Sequence, residues 1–243
     1  MSGRGFTFKQ FDVQHDRCAM KVGTDGVLLG AWANVQDAKK ILDIGCGSGL
    51  VALMAAQRNP LAHVTGIDID LSSVNDAQAN IEASPFKDHV EVCLGDVLQM
   101  AEHTTTHFDC ILSNPPYYEE DILPPNAARA QARHTAGGGL TFAALLRAVN
   151  LLIEKDNPNA SFSVIVPASA TTKVCLLATL HNLHLTRRMD IVTRKGKPCK
   201  RTLLEFKVQA CATLTQNTII LYDNGNERSA SYQELCKDFY LNV

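Results

Sequence analysis

No two cysteines stand in C-x-x-C spacing, although the chain of 243 residues contains eight. Cys18, Cys46, Cys93, Cys110, Cys175, Cys199, Cys211 and Cys236 are scattered, which argues against a zinc ribbon and for reduced thiols without metal. His103 and His107 share helical i, i+4 spacing, but three threonines separate them and no third ligand stands near, so a solvated loop is expected. Also missing is any run approaching the ~20 apolar residues that span a bilayer. The opening Met-Ser-Gly-Arg-Gly-Phe lacks the apolar core of a signal peptide, so a cytoplasmic protein without a membrane partner is expected. Nor is there an excess of one charge. A net charge of −2 argues against nucleic acid binding over the whole surface and leaves room for a local basic patch. Internal repeats and low-complexity tracts are absent.

What is present describes an ordinary globular protein, 46% hydrophobic and 20% charged, long enough for one large α/β domain. From residue 39 strand and helix signals alternate. Strands are expected at 40–44, 63–67, 89–93, 108–112 and 162–166, where short runs rich in Ile, Val and Leu are bounded by polar residues. Helices are expected at 50–57, at 72–83 capped by Ser72, at 142–153 capped by Thr141, and at 168–181. This βαβ alternation predicts a parallel, doubly wound, Rossmann-like sheet. Extended segments at 184–192 and 202–208 have only a short loop between them, so the last strand should run antiparallel to its neighbour. Residues 218–222 are a further strand candidate, and Ser231-Tyr-Gln-Glu234 reads as a capping box opening a terminal helix. The expected organisation is a single domain, 39–243, preceded by a 38-residue extension.

Gly45, Gly47 and Gly49 lie between the first strand and the first helix, where backbone can approach a ligand and helix N–H groups point at it. The spacing is G-x-G-x-G, and Leu50 occupies the place of the third glycine of the dinucleotide fingerprint. Asp43 beside this loop disfavours a pyrophosphate and suits a ligand with a cationic end. Asp68 ends the second strand 23 residues after Gly45, followed by Ile69, where an acid can accept from both ribose hydroxyls. Asp96 ends the third strand, positioned to accept from an adenine amino group while Val97 donates its backbone N–H. A phosphate-free nucleoside with a sulfonium or amino-acid end fits all three acids, and S-adenosyl-L-methionine is the candidate.

Downstream of the strand at 108–112 stands Asn114-Pro115-Pro116-Tyr117. The prolines fix φ and remove two donors, so this segment presents carbonyl oxygens. The Asn114 amide oxygen beside the Pro115 carbonyl can accept two hydrogen bonds from one planar amino group, and Tyr117 offers a face for stacking. The N6 of adenine, the N4 of cytosine and an amide nitrogen all satisfy this description.

With both motifs in hand, residues 39–208 resemble the class I S-adenosylmethionine-dependent methyltransferases of the amino-methylating branch. The resemblance implies a seven-stranded sheet of order 3-2-1-4-5-7-6 with strand 7 antiparallel. It also implies that Asp43 to Gly49 surround the methionine moiety, Asp68 binds ribose, Asp96 contacts adenine, and Asn114 to Tyr117 hold the target amine. Lys21-Val-Gly-Thr-Asp-Gly26 resembles the cofactor-covering motif of this branch, with Lys21, Gly23, Thr24 and Asp25 closing over the methionine end.

The loop between the last two strands, Arg194-Lys-Gly-Lys-Pro-Cys-Lys-Arg201, holds five cations in eight residues. Residues 184–207 carry eight Lys/Arg against Asp190 and Glu205, a surplus suited to a phosphate backbone. Arg194, Lys195, Lys197, Lys200 and Arg201 are therefore RNA-contact candidates, joined by Arg129, Arg133 and His134. Together with Ala132-Arg-His-Thr135 and Lys195-Gly-Lys-Pro, these motifs resemble the bacterial family that methylates adenine N6 beside the anticodon of a valine tRNA. Cys199 departs from the second proline expected in that loop. The resemblance implies a tRNA substrate; no metal and a monomer or weak homodimer are expected. The alternative is glutamine N5-methylation of a protein such as a release factor, which uses the same Asn-Pro-Pro-Tyr. It fits less well, because its usual helical N-terminal domain exceeds the 38 residues available here.

Overall fold

The computed structural model describes residues 5–15, 22–116, 140–223 and 225–241. Strands β1 (Gly5–Thr7) and β2 (Asp12–Gln14) form a small antiparallel hairpin. They are followed by α1 (Thr24–Trp32), β3 (Lys40–Ile44), α2 (Leu50–Arg58), β4 (His63–Asp68), α3 (Leu71–Glu82), β5 (Val90–Leu94), α4 (Val97–His103) and β6 (Cys110–Ser113). The second half contains α5 (Phe142–Leu152), β7 (Ser161–Pro167), α6 (Thr171–Leu180), β8 (His184–Arg194), β9 (Cys199–Lys207), β10 (Thr215–Tyr222) and α7 (Ala230–Cys236).

The main sheet has the order β10-β8-β9-β7-β6-β3-β4-β5. Seven of these strands follow the expected 3-2-1-4-5-7-6 order, with β9 antiparallel to both β7 and β8. The eighth is a correction to the seven-stranded expectation. β10 adds parallel to the outer edge of β8 and covers what would otherwise be an unpaired strand.

Both faces of the sheet are covered, which explains why the central strands read as nearly continuous apolar runs. Ile41 of β3 faces a core built with the hairpin, α1, α2, α3 and α7. Leu42 and Ile44 face the opposite core with α4, α5 and α6. Within α1, Leu28 and Leu29 are completely buried, each contributing roughly 1.5–3 kcal/mol of hydrophobic stabilisation. Arg58 of α2 caps the end of α1 by donating to the carbonyls of Gly30 and Ala33.

Thr141 caps α5 as expected, accepting from the Ala144 N–H at 3.2 Å. Two other caps move upstream. Asp70 rather than Ser72 opens α3, accepting from the Ser73 N–H at 2.9 Å. Ser229 rather than Ser231 opens α7, accepting from the Tyr232 N–H at 3.1 Å. In both pairs the residue two positions earlier has the extended backbone that a cap requires.

Candidate active site at the strand ends

The glycine loop leaves β3 through three left-handed residues. Gly45, Gly47 and Gly49 have φ of 69°, 54° and 80°, which side chains rarely tolerate. The Gly45 and Cys46 N–H groups both donate to the Ile67 carbonyl, at 2.8 and 3.1 Å, tying the loop to β4. A Cβ on Gly45 would meet nothing within 4 Å, whereas one on Gly49 would lie 3.3 Å from the Ala77 Cβ. Gly45 therefore opens towards a ligand, and Gly49 allows close packing on α3.

The three acids occupy three different surroundings. Asp43 is buried beneath the loop, where one carboxylate oxygen accepts from the Ala52 N–H at 3.1 Å. Burial, reinforced by the nearby Asp68, pushes its pKa up to about 7 despite that hydrogen bond. A cation above the loop would favour the ionised form. Asp68 braces the site, one oxygen accepting from the Gly47 N–H at 2.8 Å and the other from the Asp70 N–H at 2.9 Å. Each carboxylate oxygen keeps another lone pair for a hydroxyl. Asp96 accepts from the Leu98 N–H at 2.8 Å, starting α4, with Val97 buried beside it. Near these acids, Ile69 and Leu94 are exposed large apolar side chains, 66% and 52%, that offer surface to a flat ring. Burial and the carboxylates of Asp43 and Asp68 raise the Cys46 thiol, so it stays protonated. Cys93, expected to be a buried hydrophobe, is exposed on the sheet's last strand.

The parallel register of β3 and β6 pairs Ile44 with Ser113. Gly45 and Asn114 consequently leave the sheet from adjacent strands, about 4.8 Å apart in the hydrogen-bonding direction. The buried Ser113 hydroxyl donates to the Ile44 carbonyl at 2.9 Å, fixing the two strand ends together. Pro115 is buried and Pro116 exposed. The start of α1 lies over this junction, because a Cβ on Gly26 would be 3.1 Å from Leu50 Cδ2 and 3.7 Å from Asn114 Nδ2. Gly23 is the extended N-cap residue of α1, and Thr24 and Asp25 form its first turn, half-buried. Lys21, Tyr117, Arg129, Arg133 and His134 lie outside the described residues.

The basic loop divides into two kinds of cation. Lys195 and Lys197 are exposed on a turn closed by the Lys197 N–H on the Arg194 carbonyl, with Gly196 left-handed at φ 79°, and Lys200 is exposed at the start of β9. Arg194 and Arg201, expected to serve as RNA contacts, also tie this hairpin to the rest of the fold. Arg194 donates to the Gly225 carbonyl and the Asn226 side chain. Arg201 pairs with Asp25 at 2.9 Å, joining the basic hairpin to the first turn of α1.

One connector was missed from sequence. Asn80, 3% exposed, exchanges hydrogen bonds with the Gln14 backbone and donates to the Ser48 carbonyl at 2.9 Å. It links the N-terminal hairpin to the glycine loop. Its signal is the stripe Ser73, Asp76, Ala77, Asn80, a buried helix face with unusually polar residues. Among the described residues no three His, Cys, Asp or Glu gather as a metal-ligand group.

The sequence matches the Methyltransferase small domain family over residues 20–140. It is 42% identical over 243 residues, all of this chain and 96% of the relative, to the tRNA1(Val) (adenine(37)-N6)-methyltransferase of Yersinia pestis strain Pestoides F. The same figures hold for the protein of that name from Yersinia pseudotuberculosis serotype O:1b. Among solved structures, a predicted O-methyltransferase from Agrobacterium tumefaciens superimposes with a TM-score of 0.67 at 20% identity, covering 88% of this chain and 96% of that one. A class I S-adenosylmethionine-dependent methyltransferase from Listeria monocytogenes gives 0.55 at 16% identity, over 80% of this chain and 62% of that one. The two structures share the fold.

Proposed function

The chain belongs to the family of the tRNA1(Val) (adenine(37)-N6)-methyltransferases, and from that premise we propose that it methylates N6 of the adenine 3′ of the anticodon in a valine tRNA. S-adenosylmethionine is the methyl donor and supplies an electrophilic methyl group on a sulfonium centre. The residues present suit that donor: an open Gly45, a buried carboxylate whose raised pKa favours a nearby cation, two further acids with spare lone pairs, and exposed Ile69 and Leu94.

The observation that carries the reading is the adjacency of Gly45 and Asn114 on neighbouring parallel strands. In this reading Asn114 and the Pro115 carbonyl accept the two N6 hydrogens, which aims the nitrogen lone pair at the side where Gly45 is open. Tyr117 stacks on the splayed base, as proteins commonly do with unpaired loop nucleotides. The lone pair forms the N–CH3 bond as the S–CH3 bond breaks, and the resulting cationic amine releases its proton to water. Holding two reactants in line is worth up to about 7–11 kcal/mol of barrier, so positioning suffices without a metal or a strong base. Gly23, Thr24 and Asp25 cover the donor, held by the Asp25–Arg201 pair, while Asn80 ties the N-terminal hairpin to the glycine loop. Lys195, Lys197 and Lys200 meet the RNA backbone.

The test is methyl transfer from labelled S-adenosylmethionine to unmodified valine tRNA, followed by nucleoside analysis. N6-methyladenosine at the adenine beside the anticodon is the expected product. Label appearing on a release-factor glutamine and absent from tRNA would replace this substrate with the protein one.

A further inference from the structure

A cleft of about 270 Å³ opens between the N-terminal hairpin, the start of α1 and the C-terminal helix. Its lining includes Phe6, Val27, Arg228, Tyr232 and Tyr240, together with Gly23 and Thr24 of the segment expected to cover the donor, and none of these belongs to the glycine loop or to Asn-Pro-Pro. Three features distinguish it from an ordinary packing gap. First, Arg228 makes cation–π contacts with two rings, its guanidinium carbon 4.6 Å from the ring centre of Tyr222 and 4.5 Å from that of Tyr232. One edge nitrogen, Nη1, is shut off from solvent and has no hydrogen-bond partner among the described residues. A small shift of the neighbouring side chains would expose this unmet donor to an acceptor in the cleft, and the guanidinium would gain the missing hydrogen bond.

Second, the walls are aromatic. The Tyr232 and Tyr240 hydroxyls bond each other at 3.0 Å, so their polar ends are satisfied, and Phe6 stands edge-on to Tyr240 at 5.6 Å while remaining exposed. An exposed phenyl ring at a cleft mouth offers a stacking surface. Third, the cleft adjoins the methylation site. Thr24 lines it, and two residues along the same helix Gly26 stands against Asn114. The first turn of α1 is the partition between the two.

We propose that this cleft receives one unpaired nucleotide neighbouring the target adenine, its base stacked on Phe6 and an acceptor oxygen on the Arg228 edge. This rests on the RNA methylation argued above and deepens it. The cleft is slightly smaller than the ~300–1,000 Å³ typical of drug-sized ligand sites, which suits a single base. Splaying a loop nucleotide on each side of α1 would straddle the helix and fix which adenine reaches Asn114.

The experiment measures KM for an anticodon stem–loop RNA of valine tRNA and for versions lacking the base on one or other side of the target adenine. Loss of one stacked base is expected to raise KM about tenfold with kcat at saturating RNA retained. Phe6→Ala should raise KM for the intact RNA by a similar factor, leave S-adenosylmethionine affinity unchanged, and become insensitive to removal of that same base. Arg228→Gln should act in the same direction; if it lowers the melting temperature, Phe6→Ala, at an exposed position, still decides. Unchanged KM for Phe6→Ala, or base-removal and Phe6→Ala penalties that simply multiply, would overturn the subsite while leaving the methyltransferase reading intact. No transfer by the wild-type protein to the intact RNA would overturn the reading beneath it.

Discussion

The interior of the main sheet and its β10 edge are built by different rules. At the β3, β4 and β6 ends, the groups proposed to hold the donor and the amine come from short contiguous motifs, and parallel register alone brings them together. At the β8, β9 and β10 end, the ties to both terminal segments join residues far apart in the chain. Arg201 meets Asp25 across 176 positions, and Phe8 forms a bridge with Tyr240. In the proposed reading the first region performs the chemistry with local geometry. The second assembles both terminal segments into a wall beside it, and its proposed contribution is to choose and orient what the first region acts on.

That division predicts separable defects. The largest is expected at Asp68, which braces the Gly47 N–H and is proposed to hold ribose. Asp68→Ala should weaken S-adenosylmethionine binding at least ~100-fold by calorimetry, because hydrogen bonds to a charged group contribute about 1.5–3 kcal/mol each. A loss below tenfold would remove the acid from the donor site.

Asp43 sharpens the comparison through pH. Its folded-state pKa lies near 7, above the ordinary carboxylate value, so the cofactor-free protein holds a proton that the unfolded chain has released. Stability from this group is therefore fully present below about pH 4 and is lost as pH rises towards about 7. If the proposed donor's sulfonium pairs with the Asp43 carboxylate, donor affinity should rise about tenfold per unit below pH 7 and level off above it. Asp43→Asn should flatten both profiles, and an unaltered affinity profile would separate Asp43 from the cation.

The third and smallest effect belongs to the far end. Replacing Lys195, Lys197 and Lys200 by alanine should lower the slope of log affinity for RNA against log salt by roughly two, at about 0.7 per contact for single-stranded RNA. Donor binding should not change. An unchanged slope would return the three lysines to a solvated turn.

The same contrast explains what the sequence revealed. Alternating strands and helices, the glycine loop and the Asn-Pro-Pro segment at a strand end were legible because each depends on neighbouring residues. The β10 segment was recognisable as extended, but its place beside β8 was not, since parallel edge pairing leaves no local signature. Caps at Ser72 and Ser231 were misplaced by two residues because Asp70 and Ser229 offer equally good oxygens one step outside the periodic pattern. Arg194 and Arg201 looked like free cations because their partners, Asn226 and Asp25, are distant in sequence. Asn80 escaped notice for the same reason, its partners Gln14 and Ser48 becoming neighbours only after the hairpin docks.

The most direct test of the account compares Asn114→Ala with the wild type in one preparation, measuring donor affinity by calorimetry and N6-methyladenosine formation on valine tRNA. The account predicts donor affinity within a few-fold of wild type and a rate at least ~100-fold lower, the loss typical of removing one well-placed polar group from a transition state. Near-normal turnover, or a matching collapse of donor binding, would contradict the claim that adjacent strand ends divide donor binding from amine positioning.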